Sequence, residues 1–194
     1  GCDFPNPSRS KLVFCSDPKY IELLKDVGAD VVELTGNHFA DYGPDAMLET
    51  LDIYTRNGIL YYGGGADLDE AQKPLLLENN ENKIAFIGCN PVDLGKPPVA
   101  TKNKPGAAPC SHKYLVNTIK DLEARGYFVI VTFQHQEYYS PEARPGQQED
   151  FHRVADAGAS IVSGSQAHYP QVMEFYDDSF IHYGLGNLFF DKMG

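Results

Sequence analysis

Tryptophan is absent from this chain, and so is any Cys-x-x-Cys pair. The second absence excludes a zinc ribbon or a thioredoxin-type redox site. No Gly-x-Ser-x-Gly elbow occurs, which argues against a serine hydrolase of that type. The triple glycine at 63–65 has no following Lys-Ser or Lys-Thr, so it reads as a flexible turn rather than a phosphate cradle. No apolar run approaches the roughly 20 residues of a membrane-spanning helix, and no charged-then-apolar leader stands at the start. Positive charge is scarce: 16 Lys and Arg stand against 27 Asp and Glu, a net charge of −11. Nothing here neutralises phosphates in a row, so no nucleic-acid partner is expected. The acidic residues are spread along the chain and read as a solvated surface.

What is present is enough for a core. The chain has 194 residues, 42% of them hydrophobic, with 12 Tyr and 11 Phe supplying bulk. That fits one large domain or a fragment of one. The opening Gly1-Cys2-Asp3-Phe4-Pro5 reads as the interior of a longer chain. The four cysteines are Cys2, Cys15, Cys89 and Cys110. Their separations suit bridges between Cys2 and Cys15 and between Cys89 and Cys110, which would place the protein outside the cytosol. The alternative is four free core thiols.

Periodicity gives an alternating order of strands and helices. Residues 17–27 predict a helix with Asp17 as N-cap and Pro18 in its first turn. Strand 30–34 and helix 44–57 follow, then strand 59–62. Strands at 75–77 and 84–87 flank a polar turn, and residues 90–112 read as a loop. A helix over 113–125 precedes "YFVIVTF", residues 127–133, the strongest buried strand. A loop at 139–146, a helix at 147–157 and strands at 160–163, 172–176 and 180–183 complete the chain. The pattern predicts an α/β layered domain with mostly buried strands.

Three of those strands end alike. "VVEL" runs into Thr35-Gly36-Asn37-His38, "FVIVTF" into Gln134-His135, and "SIVSG" into Ser165-Gln166-Ala167-His168. Ligand sites of open α/β sheets form outside the carboxyl ends of strands. Asn37, His135 and His168 are therefore candidate ligands for a borderline divalent cation such as zinc, manganese or iron. His38 is a candidate catalytic acid, because an ordinary imidazole titrates near working pH. Asp41, three residues on, is placed to orient it. Each histidine also has a plainer reading as a satisfied polar residue at a strand end. His182 reads as a face residue of its strand, His112 as a helix cap, and Asp150 and His152 as helix-surface residues. The pairs Tyr61-Tyr62 and Tyr138-Tyr139 read as packing.

The stretches "ELTGNHFADYG", "TFQHQEYY", "GSQAHYPQ" and "FIHYGLGNLFFD" together resemble, in order, the signatures of the bacterial capsule-synthesis or poly-γ-glutamate-synthesis family often called CapA. The resemblance covers about Phe14 to Asp191. It implies an α/β/β/α sandwich of the calcineurin-like metallophosphoesterase type, with a metal site at the strand ends. Carried over, Asn37 matches the ligand of the Gly-Asn-His motif and His38 the imidazole near the leaving group. His135 matches the histidine after the long strand, followed by Glu137-Tyr138. His168 matches the last histidine of a Gly-x-His-Pro-His stretch, with Gln171 trailing it.

The chain departs from that pattern in two places. Gln166 stands where the family often has an imidazole. The family's opening Gly-Asp strand and Asn-Leu-Glu motif, which supply carboxylates, do not precede Phe14. Residues 1–194 are thus expected to form a single domain lacking its N-terminal strand. The resemblance implies a metal-dependent, phosphoesterase-like hydrolase at the cell envelope, acting on an anionic polymer such as poly-γ-glutamate or on a small phosphoester. Two rival expectations stand beside it: a non-catalytic extracellular module that binds such a polymer, and a structural fragment whose histidines have no role.

Overall fold

The computed structural model describes residues 3–5, 12–92 and 98–187. After a short 3-10 turn at Pro18–Tyr20 come α1 (Ile21–Asp26), β1 (Val31–Glu33), α2 (Gly43–Arg56), β2 (Leu60–Tyr62) and β3 (Gly64–Gly65). Next are α3 (Leu68–Gln72), β4 (Leu75–Asn79), β5 (Asn82–Cys89), β6 (Gly106–Ala107) and α4 (His112–Ala124). The chain continues through β7 (Phe128–Tyr138), α5 (Pro145–Ala155), β8 (Ile161–Ala167), β9 (Met173–Tyr176) and β10 (Ser179–His182). This is an α/β fold. It divides into two compact units, Gly1–Leu75 with Gly88–Pro109, and Leu76–Ile87 with Cys110–Gly194.

In the first unit β1 and β2 run parallel, with Val32 opposite Tyr61. Helix α2 packs against β2 and buries Ala46, Met47 and Leu51. Its Pro44 sits in the first turn, where a missing N–H costs nothing. The triple glycine is not a flexible turn. Gly64 and Gly65 pair antiparallel with Gly106 and Ala107 and are buried. A Cβ on Gly65 would lie 2.5 Å from the Ala71 nitrogen, and one on Gly106 would lie 2.4 Å from the Pro98 carbonyl oxygen. Close backbone approach, not flexibility, demands glycine here. The same pairing puts a short strand inside the stretch expected to be loop.

The second unit is built on a six-stranded sheet of order β4-β5-β7-β8-β10-β9. β7, β8 and β10 are parallel neighbours and β9 returns antiparallel as an edge. Two residues with positive φ, Asn80 and Glu81, make the β4–β5 turn, and Asp177 helps make that between β9 and β10. Helix α4 packs on β7 and α5 on β8. The core is Leu115, Ile119 and Leu122 of α4, Val129 and Val131 of β7, Val162 of β8 and Ile181 of β10, each at most 2% exposed. Within it Phe133, Phe151 and Tyr183 stack in a row, with centroids 4.8 Å and 5.2 Å apart.

β7 is longer than its apolar run. Backbone pairing with β8 continues past Phe133, with Gln134 opposite Ser165 and, after a register shift, Tyr138 opposite Ala167. His135 is therefore inside the strand rather than beyond it. Among the described residues no cysteine is free: Cys15, Cys89 and Cys110 are each in a disulfide. Cys2 and the residues from Leu188 onward lie outside the described residues. No helix among the described residues is long and apolar enough to cross a membrane.

Candidate functional site

In the first unit, β1 is followed by Leu34 and the buried Thr35, whose hydroxyl donates to Glu33 Oε1 at 2.5 Å. The Asn90 side-chain amide donates to the Thr35 carbonyl at 2.8 Å and pins the strand exit. The chain then turns tightly, with the Phe39 N–H on the Gly36 carbonyl, Asp41 on His38 and Gly43 on Ala40. This folding brings His38 and Asp41 together: Nδ1 lies 2.8 Å from Oδ2. Asp41 is 7% exposed, so the bond works in low dielectric. A carboxylate oxygen only accepts, so this contact calls for the proton on His38 Nδ1. His38 lines a cavity of about 170 Å³ with Ser16, Phe39, Tyr42 and Thr50. Asn37, on the same turn, is exposed.

The other two expected ligands belong to the second unit. His135 is held by Asp150 of α5, Nε2 to Oδ2 at 3.3 Å. The other Asp150 oxygen takes His112 Nε2 at 3.0 Å, and Arg153 Nη1 lies 3.1 Å from His112 Nδ1. A guanidinium only donates, so His112 accepts at Nδ1 and donates at Nε2. Burial pushes the Asp150 carboxyl up, but His135, His112 and Arg153 together hold it below the usual carboxylate range. His168 is engaged on both sides, with Nε2 3.2 Å from Glu137 Oε1 and Nδ1 3.2 Å from Asn187 Oδ1. The Tyr139 ring stacks on it at 4.6 Å. Gln166 has a positive φ of 76° and accepts from the Gln134 amide at 2.5 Å.

Asp150 and His152 are not plain surface residues. Beyond Asp150's two imidazoles, His152 Nε2 lies 2.6 Å from Glu174 Oε1 and 3.1 Å from the Tyr183 hydroxyl, which also donates to Glu174. The Tyr176 ring stacks on His152 at 4.0 Å. His112 is the first residue of α4, with Ser111 as the N-cap. Sequence reasoning missed these partners. For Asp150 and His152 a signal existed: they flank the buried Phe151, so on a helix each lies about 100° from the core direction, at its border.

The donor chemistry bears on the expected metal. His135 and His168 each point a nitrogen at a carboxylate from its own unit, and the two carboxylates differ. Among the described residues, no three His, Cys, Asp or Glu side chains are grouped to hold a metal ion.

Comparison with known proteins adds the following. The model of the family described as "Bacterial capsule synthesis protein PGA_cap" matches residues 3–192. The chain is 30% identical over 173 residues to the PGA biosynthesis protein CapA of Bacillus subtilis, covering 89% of this chain and 45% of that one. It is 26% identical over 176 residues to the capsule biosynthesis protein CapA of Bacillus anthracis, covering 89% and 43%. A probable polyglutamine synthesis accessory protein of Mycobacterium tuberculosis is 24% identical over 196 residues, covering 96% and 52%. The chain thus spans about half the length of the curated relatives it matches. A crystal structure of a hypothetical protein from Thermus thermophilus is similar in fold, with a TM-score of 0.56 at 18% identity, over 88% of this chain and 59% of that one.

Proposed function

Because the chain belongs to the bacterial capsule synthesis protein family, we propose that it is the part of an envelope-acting protein that performs hydrolase-like proton transfer on an anionic polymer. Poly-γ-glutamate is the substrate class that fits the names of the two Bacillus relatives, a PGA biosynthesis protein and a capsule biosynthesis protein; a small phosphoester is the other. The observation that carries the reading is the His38–Asp41 pair, 2.8 Å apart beside a cavity. His38 gives a proton from Nε2 to the departing oxygen or nitrogen. Asp41 holds the ring and offsets the charge it carries when protonated. The disulfides agree with an extracytoplasmic or envelope location, and the α/β/β/α layering of metallophosphoesterases is the fold we assign to the whole family member.

No step of this reading is routed through a metal. The metal-dependent form, with Asn37, His135 and His168 as ligands of manganese, zinc or iron, is a separate proposal. Metal analysis of the purified protein tests it directly. The proton-transfer reading is tested by incubating the protein with poly-γ-glutamate and with a generic phosphodiester, with and without added manganese. Turnover that H38A and D41N reduce by about 10²-fold or more supports it. Turnover indifferent to both substitutions removes it.

One observation favours a second reading, a non-catalytic polymer-binding module. His135 and His168 are committed to Asp150, Glu137 and Asn187, and Gln166 replaces an imidazole the family often carries. Such a module binds polymer without turnover, and H135A and H168A leave binding unchanged. Since the chain carries a net charge of −11, its affinity for an anionic polymer rises with salt as like-charge repulsion is screened.

A further inference from the structure

We propose that residues 12–16 form a disulfide-anchored clamp that assembles the His38–Asp41 pair, with Phe14 as the positioning residue and Cys15 as its anchor. The inference rests on the reading of His38 and Asp41 as the working pair and adds its regulation: the pair is built only when Cys15 is oxidised.

The contact is direct and long-range. The Phe14 backbone N–H donates to Asp41 Oδ2 at 2.8 Å, across 27 residues of sequence. It is the same oxygen that meets His38 Nδ1. The Phe14 ring stands edge-on to the His38 ring, with centroids 4.5 Å apart and planes at 84°. One residue thus touches both members of the pair, the carboxylate through its backbone and the imidazole through its ring. Phe14, Cys15 and Ser16 also line the cavity beside His38.

The segment draws no support from regular structure. Residues 12–16 belong to no helix or strand. Leu12 and Phe14 are 44% and 47% exposed, so burial contributes little. Ordering five largely exposed residues costs more than the charged hydrogen bond and the ring edge return by themselves. A stronger constraint is covalent, since Cys15 is disulfide-bonded. A cross-link next to Phe14 restricts the segment before the contacts form, which lowers the cost of docking the Phe14 N–H on Asp41.

The chemical consequence follows from the shared oxygen. With the Phe14 N–H in place, Asp41 presents Oδ2 to His38 in one orientation, and the imidazole keeps its proton on Nδ1. A dithiol delivers two electrons and two protons to the Cys15 disulfide and becomes a disulfide itself, leaving two thiols. The segment then loosens, Asp41 loses its second donor, and His38 loses its fixed tautomer. A thiol-reducing compartment keeps the pair apart and an oxidising one brings it together, so activity appears only after export.

The test reads the imidazole rather than catalysis. The protein is labelled with 15N-histidine, and the His38 ring signals are assigned by their loss in H38Q. They are recorded above the ordinary imidazole pKa of about 6.5. Wild type is expected to show Nδ1 as the protonated nitrogen. C15S and dithiol-treated wild type are expected to shift toward a mixture of tautomers, and exchange of the Phe14 amide is expected to accelerate roughly tenfold or more. F14P, which removes the N–H but keeps every cysteine, should behave like C15S. F14L, which keeps the N–H, should retain the wild-type tautomer. A far-UV spectrum accompanies each variant, and F14P serves where C15S does not fold. Unchanged ring signals and amide exchange in C15S, or unchanged ring signals in F14P, overturn the clamp. Altered signals in a protein that never turns over substrate would sink the proton-transfer reading and leave the clamp standing.

Discussion

Gly164 sits in β8, four residues before His168, and an alanine there should be costly. A Cβ built on Gly164 would lie 2.0 Å from the Tyr183 carbonyl oxygen, 2.9 Å from the Tyr183 carbonyl carbon and 2.9 Å from Phe151 Cζ. Contacts under 3.0 Å do not occur at real Cβ atoms, so the gap between backbones must open by about 1 Å. The obstacle is main chain, which cannot rotate away as a side chain can. Tyr183 directly follows β10, whose Phe180, Ile181 and His182 pair with Ile161, Val162 and Ser163 of β8. Moving it strains that ladder, the Leu185 N–H bond to the Gly164 carbonyl and the stack of Phe133, Phe151 and Tyr183.

Overpacking of a tight interior costs about 1–3 kcal/mol, and a backbone obstacle puts G164A at the upper end, about 3 kcal/mol. For a chain of this size that lowers the melting temperature by roughly 6–12 °C. Gly146 is the control. It lies in the first turn of α5, where an added Cβ would meet nothing within 4 Å and φ is not positive. G146A should therefore be neutral or stabilising by about 0.5 kcal/mol. Thermal melts and urea titrations of both variants measure the difference. A G164A protein within about 0.5 kcal/mol of wild type would refute the packing argument and the placement of Tyr183 against β8.

Further outcomes follow from the polar pairs. D41A removes the acceptor of both the Phe14 N–H and His38 and should cost about 1–3 kcal/mol in urea unfolding; a change below about 0.5 kcal/mol would deny the buried pair. D150A strands His135 and His112 together, and a double-mutant cycle with H135A should return a coupling of about 0.5 kcal/mol or more, whereas strict additivity would dissolve the contact. Glu174 supplies the pH dependence. The Tyr183 hydroxyl first, then His152, hold its carboxyl below the usual range against the opposing effect of burial. A depressed folded pKa adds stability above the unfolded value of about 4.3 and loses it as pH falls through the lower folded one. Because this carboxylate is 38% exposed, solvent screening limits the effect to about 1 kcal/mol or less. Wild type should thus lose its advantage over E174Q only below about pH 4.3, and an advantage that persists unchanged into strong acid would contradict the assignment.

The apolar skeleton was legible because burial writes itself into period. The run "YFVIVTF" marked β7, and Met47 and Leu51 marked the buried face of α2. What period cannot show is backbone pairing carried on by polar residues. β7 continues to Tyr138 because Gln134 and Tyr138 still pair with β8, although the side chains there are polar. The glycines at 63–65 failed for the converse reason: a residue with no side chain carries no pattern, and only the neighbours that fill its missing Cβ reveal that it is packed.

The candidate site divides along the same line. His38 and Asp41 are three residues apart on one turn, so local spacing was enough to pair them. Phe14 reaches them from 27 residues away through a main-chain N–H, which no side-chain motif records. His135 and His168 were legible as polar residues near the ends of buried strands, but their partners come from other elements: Asp150 from α5, Glu137 from β7 and Asn187 from the tail. Those partners decide what an imidazole can do. A nitrogen bound to a carboxylate must surrender that bond before it can take a metal, and it loses a charge-assisted contact worth about 1.5–3 kcal/mol in doing so. A motif names residue types; the second partner of each residue sets whether the type is available for chemistry, and in this chain that partner is almost always distant in sequence.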